Sequence, residues 1–278
     1  MSVTAAEGFV AAGLHAGIKA NRRDTALLAT DDGKPVPTAA VFTTNKFRAP
    51  PVDACIERLA ASAGMAAGVV VNSGNANAGT GPKGRGDAEA MCDAAAAAVG
   101  CENGDMLVCS TGLIGFRLPM RKILTAIPAL GAALSRDGGR DAAKGILTTD
   151  TRPKEAVVHG DGFTVGGMAK GCGMIAPNMA TMLAFLTTDA ALSPSELQPI
   201  LARATDATFN CLITDGATST NDTVMLFASG RKARPDLAAF EDAVRRVCEE
   251  LMLQMARDAE GMTKLVTVAI TGAASEAE

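Results

Sequence analysis

The chain has 278 residues and contains no tryptophan, no tyrosine, nine phenylalanines and two histidines. Its core must therefore be built from Ala, Val, Leu, Ile and Met, and the 48% apolar and 20% charged residues are the proportions of an ordinary globular protein. With only His15 and His159, a histidine-rich metal site is excluded, and a Ser-His-Asp triad would have to use one of those two. The seven cysteines are odd in number and none stands in a CxxC pair, so they read as reduced core residues. Long hydrophobic runs are also missing. Met65–Val71 and Met182–Leu186 are far too short to span a bilayer, and the N-terminus lacks a basic-then-apolar signal pattern, so a cytoplasmic protein is expected. Lys and Arg number 26 against 30 Asp and Glu, a net charge of −4, and the basic residues are scattered. That excludes an electrostatic grip on nucleic acid or on an anionic membrane. The length suits one large domain or two small ones. With no internal repeat, low-complexity block or clear linker, a single two-layered unit is the simpler organisation.

What is present alternates short β-rich runs with Ala-rich helical runs, a mixed α/β pattern. Ala39–Thr44 and Gly68–Asn72 read as buried strands, and Gly86–Val99 as a helix with Asp87 near its start and Gly100 just past its end. Between them lies N-S-G-N-A-N-A-G-T-G, Asn72–Gly81, whose Gly and Asn content suits either a plain turn or part of a pocket wall. Met106–Gly115 is a second strand running into glycine. Leu118–Leu134 reads as helical, with Pro119 in the first turn and a kink or break at Pro128. A helical stretch around Asp141–Leu147 leads to T-T-D-T-R-P-K, Thr148–Lys154. Glu155–His159 and Phe163–Met168 then form a hairpin around Gly160-Asp161-Gly162. Helices are expected over Ser193–Asp206 and Pro235–Ala259, and strands over Thr223–Ala228 and Lys264–Thr271. The last six residues read as frayed.

The most distinctive stretch is A-K-G-C-G-M-I-A-P-N-M-A-T-M-L-A-F-L, Ala169–Leu186. Two glycines and Pro177-Asn178 make a tightly specified loop that gives way to an apolar run at Thr181. In such a loop a hydroxyl can attack the carbonyl before it, here that of Ala180, and release a new N-terminus. The freed α-amine, with an unperturbed pKa of about 8, can then take the proton from its own hydroxyl. This chemistry needs no histidine. An Ala-Thr step at the start of a strand is nevertheless common, so the stretch alone leaves a structural threonine and a nucleophile both open.

The chain resembles the bifunctional glutamate N-acetyltransferase/ornithine acetyltransferase family of arginine biosynthesis. The likeness rests on K-G-C-G-M-I-A-P-N-M-A-T-M-L (Lys170–Leu183) together with G-F-V-A-A-G (Gly8–Gly13), V-F-T-T-N (Val41–Asn45) and V-V-N-S-G-N-A-N-A (Val70–Ala78). It continues through S-T-G-L-I-G (Ser110–Gly115), L-P-M (Leu118–Met120), Thr148–Lys154, S-T-N-D-T (Ser219–Thr223) and A-E-G-M-T-K (Ala259–Lys264). The motifs run in family order at family-like spacing across essentially the whole chain.

The resemblance implies an α/β fold of stacked sheets flanked by helices, the self-cleaving sandwich shared with the DmpA-like aminopeptidases. It implies an α chain (1–180) and a β chain (181–278) that share one core and pair further into an α2β2 heterotetramer. Thr181 matches the nucleophile, Ala180–Thr181 the cleaved bond, and Thr111 and Gly112 the oxyanion-stabilising pair. Thr148, Lys170 and Glu260 match substrate contacts, with the register of Thr148 against Thr149 and Thr151 left open. One cation and one anion suit an amino-acid substrate. The implied substrates are N-acetylornithine as acetyl donor and glutamate as acceptor. No cofactor and no metal are expected, and acetyl-CoA stays open as a second donor. Asn72, Asn75 and Asp222 remain as supporting groups around the pocket.

Family members continue past the strand expected at Lys264–Thr271 into a C-terminal region whose last residues include an asparagine and a Ser or Thr that close on the substrate. Against that pattern the chain reads as a fragment or a shortened relative. Two other readings stay open beside acetyl transfer: a self-cleaving amidohydrolase or aminopeptidase with water as acceptor, and a truncated, non-catalytic form that binds a partner.

Overall fold

The computed structural model describes residues 2–175 and 182–272. Among these residues ten strands make two sheets. The first contains β1 (Phe9–Leu14), β2 (Thr25–Thr30), β5 (Gly68–Asn75) and β6 (Met106–Leu113), in the order β1-β2-β5-β6. The second contains β3 (Val36–Phe42), β4 (Met65–Ala66), β7 (Lys154–His159), β8 (Thr164–Lys170), β9 (Leu183–Thr188) and β10 (Thr223–Ala228), in the order β4-β3-β10-β9-β8-β7. Pairing is antiparallel except between β5 and β6 and between β9 and β10. Each parallel pair is joined by a crossover helix, α2 (Gly81–Val99) in the first sheet and α5 (Pro194–Asp206) in the second, as parallel strands require.

The central strands are buried on both faces, and the period of two along each strand divides their side chains between two cores. In β9, Leu183 and Phe185 face the first sheet while Ala184 and Leu186 face the opposite way, and β10 divides Met225 and Phe227 from Val224 and Leu226 in the same manner. The core between the sheets continues onto α2 and α3 (Met120–Ala132), through Met91, Cys92, Ile123 and Ile127. The other core is closed by α5 and α6 (Leu237–Ala256), through Leu197, Leu201, Phe240, Val244 and Val247. The result is helices, sheet, sheet, helices, in accord with the stacked-sheet α/β fold expected. Two further helices, α1 (Pro50–Ala61) against β6 and α4 (Gly139–Gly145) against β1 and β2, complete it. Among the described residues no helix is long and apolar enough to cross a membrane.

The start of α5 is a complete capping box, with Ser193 and Glu196 each serving the other's backbone N–H. One expectation is answered in part and one is overturned. Helix α3 runs through Pro128 without a break; its apolar stripe, Ile123, Ile127 and Leu130, is fully buried, and this packing outweighs the one backbone bond that proline removes. The segment Lys264–Thr271 forms no strand, and Leu265, Val266, Val268 and Ile270 are exposed. Its alternation is that of a strand, but among the described residues it pairs with neither sheet.

Candidate active site

The C-terminal ends of the parallel strands β5 and β6 converge, the usual place for a ligand crevice in an α/β sheet. Their register puts Ser73 beside Thr111 and Gly74 beside Gly112, with a bulge at Asn75 that ends the pairing. Gly112 has φ +132°, and a Cβ there would lie 2.3 Å from the Gly74 carbonyl carbon. Only glycine fits.

A cavity of about 560 Å³ opens at this point, and Thr111, Gly112, Thr148, Lys170 and Glu260 all line it. Gly74, Thr149, Gly173, Met174 and Asp215 complete much of its wall, together with Lys19. Five residues from four separated segments, picked from motifs, are thus brought together. Thr181 and Ala180 lie outside the described residues. The residues flanking them are placed: Met174 lines the cavity, and buried Met182 leads directly into β9.

Each group has an identifiable support. Lys170, the last residue of β8, is buried, and its Nζ donates to Thr111 Oγ1 at 3.3 Å. Burial pushes its pKa below the ordinary lysine value, against the opposing pull of the Asp150 carboxylate. Asp150 is itself buried. Burial alone would raise its pKa, but the ammonium groups of Lys170 and Lys154 and the Gly171 N–H hold it at about 2. Its Oδ2 accepts from the Thr148 N–H at 3.0 Å, and its Oδ1 from Gly171 N–H at 2.8 Å and Lys154 Nζ at 2.6 Å. One carboxylate therefore fixes the Thr148 backbone and the turn after Lys170.

Lys154 is fully buried and pairs also with Asp258, which in addition accepts from the backbone and hydroxyl of Thr151. Thr151 is thereby turned away from the cavity, while Thr148 and Thr149 both line it. The same pairing ties down the end of α6, from which Glu260 follows. Glu260 donates its N–H to Cys172 O at 2.7 Å, and its carboxylate rests over Gly173, where a Cβ would come within 3.2 Å of its Cδ.

Asp215 anchors the loop that enters the undescribed segment. Its carboxylate accepts from the N–H groups of Met174 (2.5 Å) and Ile175 (2.9 Å). Met174 adopts φ +58°, a left-handed conformation unusual for a side chain of its size and a form of strain that clusters at functional sites. On the other side of that segment, Asp222 Oδ1 accepts from the Met182 N–H at 3.0 Å. Asp222 is buried, and its Oδ2 has no hydrogen bond among the described residues. Burial lifts its pKa to about 7, against the Met182 N–H and the Lys170 charge.

The asparagines build the frame. Asn72 Oδ1 accepts from Ser110 Oγ at 2.6 Å, and Asn75 Nδ2 donates to the carbonyls of Phe116 and Arg117. Asn221 donates to Ala76 O and Ser110 O, locking the S-T-N-D-T segment of one sheet to the loop of the other. Among the described residues no group of three His, Cys, Asp or Glu side chains is placed to hold a metal ion. Sequence reasoning missed Lys19 and Asp215: each lies in a loop just outside a quoted motif, and no spacing in the chain singles either out.

Comparison with known proteins gives four matches. The ArgJ family model matches residues 10–278. The arginine biosynthesis bifunctional protein ArgJ of Mycolicibacterium paratuberculosis is 51% identical over 285 residues, covering 99% of this chain and 70% of that protein. Among solved structures, an ornithine acetyltransferase from Mycobacterium tuberculosis, complexed with ornithine, superposes with a TM-score of 0.60 at 42% identity, over 63% of this chain and 94% of that one. An L-aminopeptidase D-Ala-esterase/amidase from Ochrobactrum anthropi shares the fold, with a TM-score of 0.58 at 14% identity over 94% of this chain and 88% of that one.

Proposed function

The chain belongs to the ArgJ family, and on that premise we propose that it moves the acetyl group of N2-acetyl-L-ornithine to L-glutamate in arginine biosynthesis, through an acetyl-Thr181 intermediate. The observation that carries this reading is the convergence of Thr111, Gly112, Thr148, Lys170 and Glu260 on one cavity, whose wall also includes Met174 in the segment that leads to the Ala180–Thr181 bond.

The precursor first cuts itself. The Thr181 hydroxyl adds to the Ala180 carbonyl, the C–N bond breaks as the amine takes up a proton, and water hydrolyses the resulting ester to leave Ala180 as a carboxylate and Thr181 as a free N-terminus. In the α chain (1–180) and β chain (181–278) so formed, β9 belongs to the second piece yet pairs with β8 of the first. The two pieces therefore stay together through one sheet. We take two such pairs to form an α2β2 assembly in the cytoplasm.

In the first half-reaction the Thr181 amine accepts the hydroxyl proton while Oγ1 attacks the acetyl carbonyl. Thr111 and Gly112 hold the oxyanion, and ornithine departs with the proton on its amine. Lys170 and Glu260 supply charges complementary to an amino acid, and Thr148 a polar contact at the rim. Glutamate's amine then attacks the acetyl-Thr181 ester and regenerates the hydroxyl. A single covalent intermediate shared by two substrates requires ping-pong kinetics. No cofactor enters this sequence; acetyl-CoA would serve only as another acetyl donor.

Intact mass of the purified chain, compared with Thr181→Ala, tests the first step. Two fragments meeting at Ala180 and Thr181, absent from the variant, are expected, and one uncut chain in both would sink it. Transfer of labelled acetyl from N-acetylornithine to glutamate tests the second. Release of acetate without transfer would instead favour a hydrolase with water as acceptor, and neither reaction a non-catalytic binding role.

A further inference from the structure

We propose that Lys19 is a specificity-determining residue whose ammonium receives the side-chain carboxylate of the acetyl acceptor. The inference rests on the acetyl-transfer reading above and adds to it the group that tells one amino acid from another.

Lys19 lines the same cavity as Thr111, Gly112 and Lys170. Its backbone is held before any ligand arrives: the buried carboxylate of Asp24 accepts from the N–H groups of Ala16, Gly17, Ile18 and Lys19 at 2.6, 3.1, 2.6 and 2.9 Å. Its aliphatic stem lies over Gly74, where a Cβ would come within 3.0 Å of Lys19 Cγ. Its Nζ donates to the Leu147 carbonyl at 2.8 Å, and among the described residues it forms no ion pair with a carboxylate. Burial draws this ammonium down to about 8, against the attraction of Asp24 and Asp150. A carboxylate placed beside it restores the charge, so pairing is favoured on both sides.

The two amino acids of the reaction share their α-carbon groups and differ at the far end, an ammonium in ornithine and a carboxylate in glutamate. Lys170 is the inner cation, buried behind Thr111 with Asp150 as its counter-charge. Lys19 is the outer one, half-buried and without a counter-charge in contact. Glu260 and Asp215 stand on the wall for an amine. A preorganised cation that nothing else neutralises discriminates against a ligand of equal size lacking the negative charge, because the site's own charge is then left unpaired.

Glutamine is that ligand. In a ping-pong reaction kcat/KM of each substrate reports its own half-reaction alone, so acceptor selectivity can be read separately from donor use. The experiment measures kcat/KM for glutamate and for glutamine as acceptors, and kcat/KM for N-acetylornithine as donor, in the wild-type full chain, Lys19→Gln and Lys19→Arg. We expect the wild type to favour glutamate by about 100-fold or more, Lys19→Gln to bring the two acceptors within about tenfold, and Lys19→Arg to keep the preference. The kcat/KM for N-acetylornithine should move by less than about threefold. A ratio is independent of how much of the variant is folded. A wild-type ratio retained in Lys19→Gln would overturn the proposal, as would an equal fall in donor and acceptor kcat/KM, which would put Lys19 on the shared α-carboxylate. A wild type that transfers acetyl to neither acceptor would overturn the acetyl-transfer reading and this proposal with it.

Discussion

Gly112 lies so close against Gly74 across the parallel β5–β6 pair that a methyl group on Gly112 would sit 2.3 Å from the Gly74 carbonyl carbon and 2.5 Å from the Asn75 nitrogen. Both obstacles are backbone, which cannot rotate away. Gly112→Ala must therefore shift the end of β6 and with it the neighbouring Thr111, and acetyl transfer should fall by about 100-fold or more with a lowered melting temperature. Thr111→Ala removes a hydroxyl without a clash, though also the acceptor of the buried Lys170 ammonium, and should cost about 10²–10³ in kcat with a smaller fall in melting temperature than Gly112→Ala. Equal thermal losses in the two variants would contradict the steric account.

Asp150 is the counter-charge for two buried lysines and also the acceptor for the Thr148 and Gly171 N–H groups. Asp150→Ala leaves Lys154 buried with Asp258 as its one remaining carboxylate, so a loss of roughly 3–5 kcal/mol is expected in urea unfolding. The pH dependence has a definite sign. The folded pKa of about 2 lies below the ordinary 3.8, so the stabilisation from Asp150 is fully present above pH 4 and is lost as pH falls from 4 towards 2. Stability that does not change over that interval in the wild type relative to Asp150→Asn would refute the assignment.

Much of this arrangement was legible in the sequence, because the motifs fall where strands end. Met106–Gly115 reads as a strand running into glycine, and β6 does end at Leu113 with Thr111 and Gly112 on the cavity wall. The hairpin of β7 and β8, the capped helix α5 and the strand β10 follow their local signals closely. Strand β2 and helix α1 carry no such signal. In β2, TALLAT is buried at every position, which removes the alternation that marks a half-exposed strand, and α1 opens on Pro50-Pro51, a pair that reads as a break until it is seen in the first turn. Lys264–Thr271 errs the other way, since alternation reports a fitness for pairing and cannot report whether an edge is near. Lys19 and Asp215 were illegible for a related reason: their role depends on tertiary placement alone.

The four N–H groups gathered on Asp24 give a way to disturb Lys19 without touching its charge. Asp24→Ala frees the loop from Ala16 to Lys19, so the ammonium is no longer held over Gly74. Acceptor kcat/KM for glutamate should fall by about tenfold, while that for glutamine, which does not use the charge, changes by less than about threefold. A parallel fall for both acceptors would mean that the loop acts on the whole cavity and not through Lys19.

Asp222 should leave a signature in the pH dependence of stability opposite to that of Asp150. Its carboxyl faces the Met182 N–H and the charge of Lys170 from β8, and burial holds its folded pKa at about 7 against an ordinary 3.8. Between pH 4 and 7 the folded chain keeps this proton and the unfolded chain has lost it, so stability falls as pH rises, by about 1.4 kcal/mol per pH unit while Asp222 remains protonated in the folded state. Above pH 7 both states are ionised and the dependence stops. Asp222→Asn keeps the shape and cannot ionise. Subtracting its stability from that of the wild type cancels the other titrating groups, and the difference should decline from pH 4 to pH 7 and then stay level. The Asn side chain can still accept from Met182 N–H, so a decline that persists above pH 7, or a flat difference throughout, would show that the Asp222 carboxyl does not carry its proton into the folded state.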